Sequence, residues 1–215
     1  MGSRTILCTG LLLLVCGPAA ATSFAAYVTD QDGKPVPNAV ISIVADGKPM
    51  PAPATRLDPA RIIDQRDETF IPIVTILPRD GRVVFANNDK TKHQVYSFSP
   101  IKQFEITLAQ GERSPSFAFD KAGVAVLGCN IHDHMIAYVF VSDTPWTSLT
   151  GPDGRTVISD VPPGNYAVQV WHPQLPPGTA APEKPVALTG DTTEFSARLK
   201  LLSPPPIMHM HMGHY

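Results

Sequence analysis

The chain has 215 residues, with 17 Lys and Arg against 19 Asp and Glu and a formal charge of −2. No basic stripe is present to neutralise a run of phosphates, which argues against nucleic acid as a partner. With charged residues at 17%, 23 Pro and 15 Gly, neither a coiled coil nor a highly charged disordered chain fits, and long helices are not expected.

Residues 1–21 read as an export signal: Arg4, an apolar run from Ile6 through Cys16 containing Leu11-Leu12-Leu13-Leu14, then Ala19-Ala20-Ala21 before Thr22. The run is too short to span a bilayer. Cys16 follows Val15 rather than a small residue, so cleavage near Ala21 is expected instead of lipidation. The mature protein is then periplasmic or secreted, without a membrane span, and keeps one cysteine, Cys129. A lone thiol in an oxidising compartment must be buried, paired with another chain or bound to a metal.

Beyond the signal the chain alternates β-rich runs with turn chemistry. Phe24–Thr29 and Ala39–Val44 flank Asp32-Gly33, Pro35 and Pro37 and read as a hairpin. Residues 46–60 carry Pro49, Pro51, Pro53 and Pro59 without periodicity and read as a linker or surface loop. Strand signals follow at 71–77, 82–85, 94–98, 103–108, 116–119, 123–127 and 136–141, the close spacing of a sandwich or barrel. After Trp146 come strands at 157–161, 166–171 and 194–201, separated by Asp153-Gly154 and Pro162-Pro163-Gly164.

The chemistry concentrates in Gly128-Cys129-Asn130-Ile131-His132-Asp133-His134-Met135. A thiolate, an imidazole and a thioether at this spacing can turn toward one point from a single loop, and soft sulfur with imidazole suits copper. His93, in a polar loop after Asn87-Asn88-Asp89, is the second imidazole that such a site requires from a distant strand. His134 lies two residues from His132, so either ring can serve; His132 is preferred and His134 is a candidate extra ligand. His172, between Trp171 and Pro173, reads as structural. A second metal feature is the tail Met208-His209-Met210-His211-Met212-Gly213-His214, which follows Pro204-Pro205-Pro206 and offers ligands to Cu(I) and Cu(II).

With His93 and the Cys129-x2-His132-x2-Met135 loop in view, the chain resembles the cupredoxins, most nearly the amicyanin-like branch. Val28–Val40 and Ile158–Tyr166 resemble the hairpins of small carboxypeptidase-regulatory or Cna-B-like sandwiches, and the whole resembles bacterial proteins of the methylamine utilization group. The resemblance implies an all-β protein: a Greek-key cupredoxin sandwich over 67–143, inserted in or packed beside a second small sandwich made of 22–66 with its linker and 144–202. The metal-binding tail then occupies 203–215. It further implies that His93, Cys129 and His132 form a trigonal plane around one type 1 copper, with Met135 axial. Asn87 or Asn88, preferably Asn87, would tie the His93 loop to the Cys129 loop.

No catalytic triad, carboxylate pair or phosphate-binding loop is visible, and a site closed by protein ligands leaves no position for substrate, so the expectation is a non-enzyme. The function expected is exported blue-copper binding with redox cycling and a role in periplasmic copper homeostasis. Two alternatives stand beside it: a one-electron carrier to or from a partner oxidoreductase, and a carbohydrate- or protein-binding module with a structural copper.

Overall fold

The computed structural model describes residues 22–45, 59–179, 183–190 and 192–203. The expected signal peptide and the Met/His tail lie outside these residues. Every regular element described is a strand, and among the described residues no helix is long and apolar enough to cross a membrane.

The chain begins with β1 (Thr22–Thr29) and β2 (Val40–Ala45), then forms a run of nine strands before returning to the first pair. The nine are β3 (Arg61–Arg66), β4 (Thr69–Ile71), β5 (Val74–Pro78), β6 (Gly81–Asn87), β7 (His93–Ser99), β8 (Lys102–Leu108), β9 (Phe117–Phe119), β10 (Gly123–Cys129) and β11 (Ile136–Ser142). The return comprises β12 (Thr147–Leu149), β13 (Arg155–Val161), β14 (Gly164–Trp171), β15 (Glu183–Leu188) and β16 (Thr193–Arg198).

Pairing sorts these strands into two sandwiches, one interrupted by the other. The outer one stacks the sheet β13-β1-β16 on β12-β2-β14-β15; the inner one stacks β5-β11-β10-β7-β8 on β4-β3-β6-β9. Strict alternation explains why: along β1 every second side chain is buried, so each strand gives one face to a core. Phe24, Val28, Ile41, Ile43, Val168 and Leu188 belong to the outer core, while Ile63, Phe85, Val95, Leu127, Cys129 and Val139 belong to the inner one.

Two strands lie where turn and linker signals dominate the sequence. Arg61–Arg66 lies before residue 67 yet pairs in parallel with β6, placing Ile63 opposite Phe85. Its inward residues are Ile63 and Gln65, one of them polar, while the apolar Ile62 faces outward, which hides the alternation. Glu183–Leu188 carries Pro185 and forms the edge of its sheet, the place where a residue without an N–H is tolerated.

The two sandwiches are fastened where the chain passes between them. Thr144 Oγ1 donates to the Ile43 carbonyl at 2.7 Å, and Ser142 Oγ donates to the Thr144 carbonyl at 2.9 Å. Trp171, at the end of β14, packs on Tyr138 and Phe140 of β11 at centroid distances of 5.7 and 5.6 Å.

Candidate metal centre

Register brings the predicted ligands together. β7 and β10 are antiparallel neighbours with Cys129 opposite Val95, so the start of β7 and the end of β10 lie at one end of the sheet. His93 is two residues before Val95 and faces the same side, which is the core side. Both are enclosed: His93 is 0% exposed and Cys129 is 2%. At Gly128 the neighbouring Tyr96 ring comes so close that a Cβ would meet its Cζ at 2.5 Å, so the ring lies over β10 in the space that the missing side chain leaves.

The chain after Cys129 turns back at once. The Met135 amide donates to the His132 carbonyl at 3.0 Å, swinging His132 over the thiol and returning Met135 to the core, where it is 3% exposed in the same cluster as Cys129. Cys129 Sγ lies 3.6 Å from His93 Nδ1 and 3.9 Å from His132 Nδ1, and the two nitrogens are 3.2 Å apart. A point equidistant from atoms so spaced lies roughly 2 Å from each, within the range of metal–imidazole and metal–thiolate bonds. The donor set therefore fits a metal ion: one free thiol and two imidazole nitrogens converge, with Cys129 and His93 buried and His132 partly exposed.

Supporting groups fix this cluster, and they are not those expected. Asn87 is fully buried, but its Nδ2 donates to the carbonyls of Thr91 and Leu108 at 2.9 and 3.0 Å and its Oδ1 accepts from the Asp89 amide at 3.0 Å. It shapes its own loop rather than reaching the Cys129 loop. Asn88 Nδ2 donates to Asp64 Oδ1 at 2.8 Å near the surface. The tie between the two ligand loops is made by Gln94 and Asn130: the Asn130 amide donates to the Gln94 carbonyl, and Asn130 Nδ2 donates to Gln94 Oε1, both at 3.0 Å. Short side chains reach across here because β7 and β10 already run side by side.

Asp89 is the residue that sequence reasoning missed. Its Oδ2 lies 3.0 Å from His93 Nε2, the arrangement by which a carboxylate orients a ligating imidazole and raises its basicity. Burial pushes the Asp89 carboxyl up, but hydrogen bonds from the Glu68 and Lys90 amides, together with His93, hold it below the ordinary value. It thus stays an acceptor, which places the ring proton on Nε2 and leaves the Nδ1 lone pair facing the thiol. A carboxylate four residues before the candidate histidine was the available signal.

His134 lies outside the three-atom cluster. Its side chain is 48% exposed and faces Glu68, with Nε2 3.6 Å from Oε2. Met208, His209, Met210, His211, Met212 and His214 fall outside the described residues. His172, read as structural, lies at the end of β14, its Nε2 3.2 Å from the Pro37 carbonyl and its Nδ1 accepting from the Gln174 amide at 3.2 Å.

Compared with known proteins, the chain matches no family model and no curated protein. Among solved structures it is similar to a purple cupredoxin from Nitrosopumilus maritimus at 22% identity, covering 38% of this chain and 99% of that one with a TM-score of 0.35. Amicyanin from Paracoccus versutus is 19% identical over 47% of this chain and 97% of its own, with a TM-score of 0.36. A copper-containing nitrite reductase from Thermus scotoductus is 25% identical over 45% of this chain and 25% of its own, at 0.37.

Proposed function

We propose that this is an exported type 1 copper protein in which His93, Cys129 and His132 would hold the ion, with the buried Met135 thioether of the same core cluster as the further ligand. The observation that carries the reading is the convergence of one buried thiol and two Nδ1 atoms at separations between 3.2 and 3.9 Å. A thiolate with two imidazoles, and a thioether nearby, is a donor set acceptable to both Cu(II) and Cu(I). Copper so bound supplies one-electron exchange. The protein's part is to keep the ligands in place in either state: Asp89 fixes His93, and the Gln94–Asn130 pair locks the two loops together. His132, at 17% side-chain exposure, is the ligand that reaches the surface.

The physiological role we assign is copper homeostasis outside the inner membrane, with the Met208–His214 tail capturing ions. Its alternation of thioether and imidazole is something a simple electron shuttle does not need. A dedicated electron carrier is the second reading, favoured by the exposed Ile131 on the ligand loop, an apolar contact for a redox partner.

Titration of the purified mature protein with Cu(II), with and without residues 207–215, tests both through the visible spectrum. The expected outcome is an intense thiolate-to-copper absorption that the truncation leaves unchanged, with copper stoichiometry lower in the truncated form. His132→Ala disrupts the absorption, while His134→Ala preserves its final form. Equal stoichiometry would remove the homeostasis reading, and absence of the absorption would remove the copper site itself.

A further inference from the structure

The turn joining β3 to β4 faces the ligand cluster from outside, and its support of Asp89 accounts for the Glu68 amide but not for the Glu68 carboxylate. Asp67 and Glu68 both adopt left-handed backbone conformations, with φ of 45° and 52°, which non-glycine residues seldom do. The Glu68 amide donates to Asp89 Oδ2 at 2.7 Å, the same oxygen that meets His93 Nε2, so the turn is held in register with the cluster. The Glu68 carboxylate then spans two rings: Oε1 lies 3.5 Å from His132 Nε2, and Oε2 lies 3.6 Å from His134 Nε2.

These separations are too long for hydrogen bonds between such groups. Each is close to the roughly 3.4 Å that bonds of about 2.1 Å leave between neighbouring donors of a tetrahedral cation. They engage different carboxylate oxygens, and the donors of the three residues do not all lie within 4.8 Å of one another, so a bound ion has to draw them together. The His132 and His134 ring centroids stand 6.3 Å apart, and the half-exposed His134 and Glu68 side chains have room to close on an ion. Two imidazoles and a carboxylate form a set that Zn(II) and Cu(II) accept.

We propose that Glu68, His134 and the outer nitrogen of His132 form a second, solvent-facing site for a divalent transition-metal cation, from which the ion passes inward through His132. The outer site stands by itself; the passage rests on the reading that the inner cluster holds copper. His132 is the shared ring, its Nδ1 facing Cys129 and His93 and its Nε2 facing Glu68. In the outer site the Nε2 lone pair binds the ion and the ring proton sits on Nδ1. When the ion moves to Nδ1, that proton passes through water to Nε2, where the Glu68 carboxylate accepts its hydrogen bond, and the Cys129 thiol releases its proton to water as its sulfur binds the ion. No electron is transferred.

Calorimetric titration with Zn(II) alone, using the full-length mature chain, tests the site. Cys129→Ala is compared with Cys129→Ala/His134→Ala and Cys129→Ala/Glu68→Gln, so that the tail contributes equally to all three. The expected result is one further equivalent bound by Cys129→Ala, with affinity falling roughly tenfold or more on loss of either outer donor; coincident isotherms would overturn the outer site. In a second arm, Cu(II) is mixed with otherwise unaltered protein. His134→Ala should reach the same final absorption several-fold more slowly, and equal rates would overturn the passage. If no variant develops the absorption while the Zn(II) difference persists, the inner copper reading and the passage both fall and the outer site remains.

Discussion

Each sandwich buries a histidine at the end of a strand, and the two are treated in opposite ways. In the outer sandwich, His172 spends both ring nitrogens on the backbone, one against the Pro37 carbonyl and one under the Gln174 amide. In the inner sandwich, His93 has one nitrogen fixed by Asp89 and the other turned toward a thiol and a second imidazole. Burial and residue type are shared, so neither marks function. The difference is that His172 meets fixed backbone groups, whereas His93 Nδ1 meets only a thiol and a second ring nitrogen, at 3.6 and 3.2 Å, groups that can give up their protons and turn three lone pairs on one ion.

The strongest way to break this comparison is to remove the donors. Cys129→Ala and His93→Ala are each expected to abolish the thiolate-to-copper absorption, whereas His172→Ala should lower stability and leave the absorption of the folded fraction intact. Visible spectra normalised to folded protein decide the matter, and loss of colour in all three would erase the distinction.

Next in size is Asn87→Ala. Three hydrogen bonds vanish and the buried Leu108 carbonyl loses a donor, so denaturant unfolding should show about 3 kcal/mol less stability. Because Asn87 shapes the loop that carries Asp89, copper affinity should fall as well. Asp89→Asn is sharper for the site: removing the carboxylate behind His93 should weaken copper binding roughly ten- to a hundredfold. Because both oxygens accept from backbone amides, the one amide left facing the new NH2 should lower the unfolding midpoint by less than Asn87→Ala does.

The smallest effect concerns pH and belongs to His172. Burial pushes its pKa below the ordinary value, against the opposing pull of the Pro37 hydrogen bond. A histidine depressed in this way is neutral in the fold while the unfolded chain takes up a proton, so stability is full above about pH 6.5 and declines as pH falls through the folded value. Protonation would also set a proton on Nδ1 against the Gln174 amide. His172→Gln should therefore flatten the pH dependence of the unfolding midpoint between pH 7 and 5; an unchanged slope would show that His172 is not its source.

What could be read from the sequence follows the same divide. The spacing of Cys129, His132 and Met135 is local, so one loop with a thiol, an imidazole and a thioether announces itself. The position of His93 beside them depends on β7 pairing with β10, which the sequence did not display: His93 stood out as an imidazole in a polar loop far from Cys129, and through the resemblance to cupredoxins. The supporting contacts were not legible, because they follow from register rather than composition. Asn87 and Gln94 are both short polar side chains near His93, and only the pairing of Cys129 with Val95 decides that Gln94 meets Asn130 while Asn87 turns back on its own loop. Glu68 was hidden for a related reason: it belongs to a hairpin that charged residues disguise, and it reaches the ligand loop only because β3 joins β6 in parallel.

The interruption of one sandwich by the other also has a kinetic consequence. β1 pairs with β13 and β16, so the outer sheet joins residues near one end of the described chain to partners far along it, as in the bond from Thr22 Oγ1 to the Val161 carbonyl. Closing so long a loop from an unfolded chain is entropically unfavourable, though the penalty grows only with the logarithm of length. Once the inner strands have condensed, the span collapses to the short gap between β2 and β12, which pair with each other. The outer sandwich should consequently assemble last and open first, making it the slow, templated partner in a folding reaction that starts around the metal-ligand core.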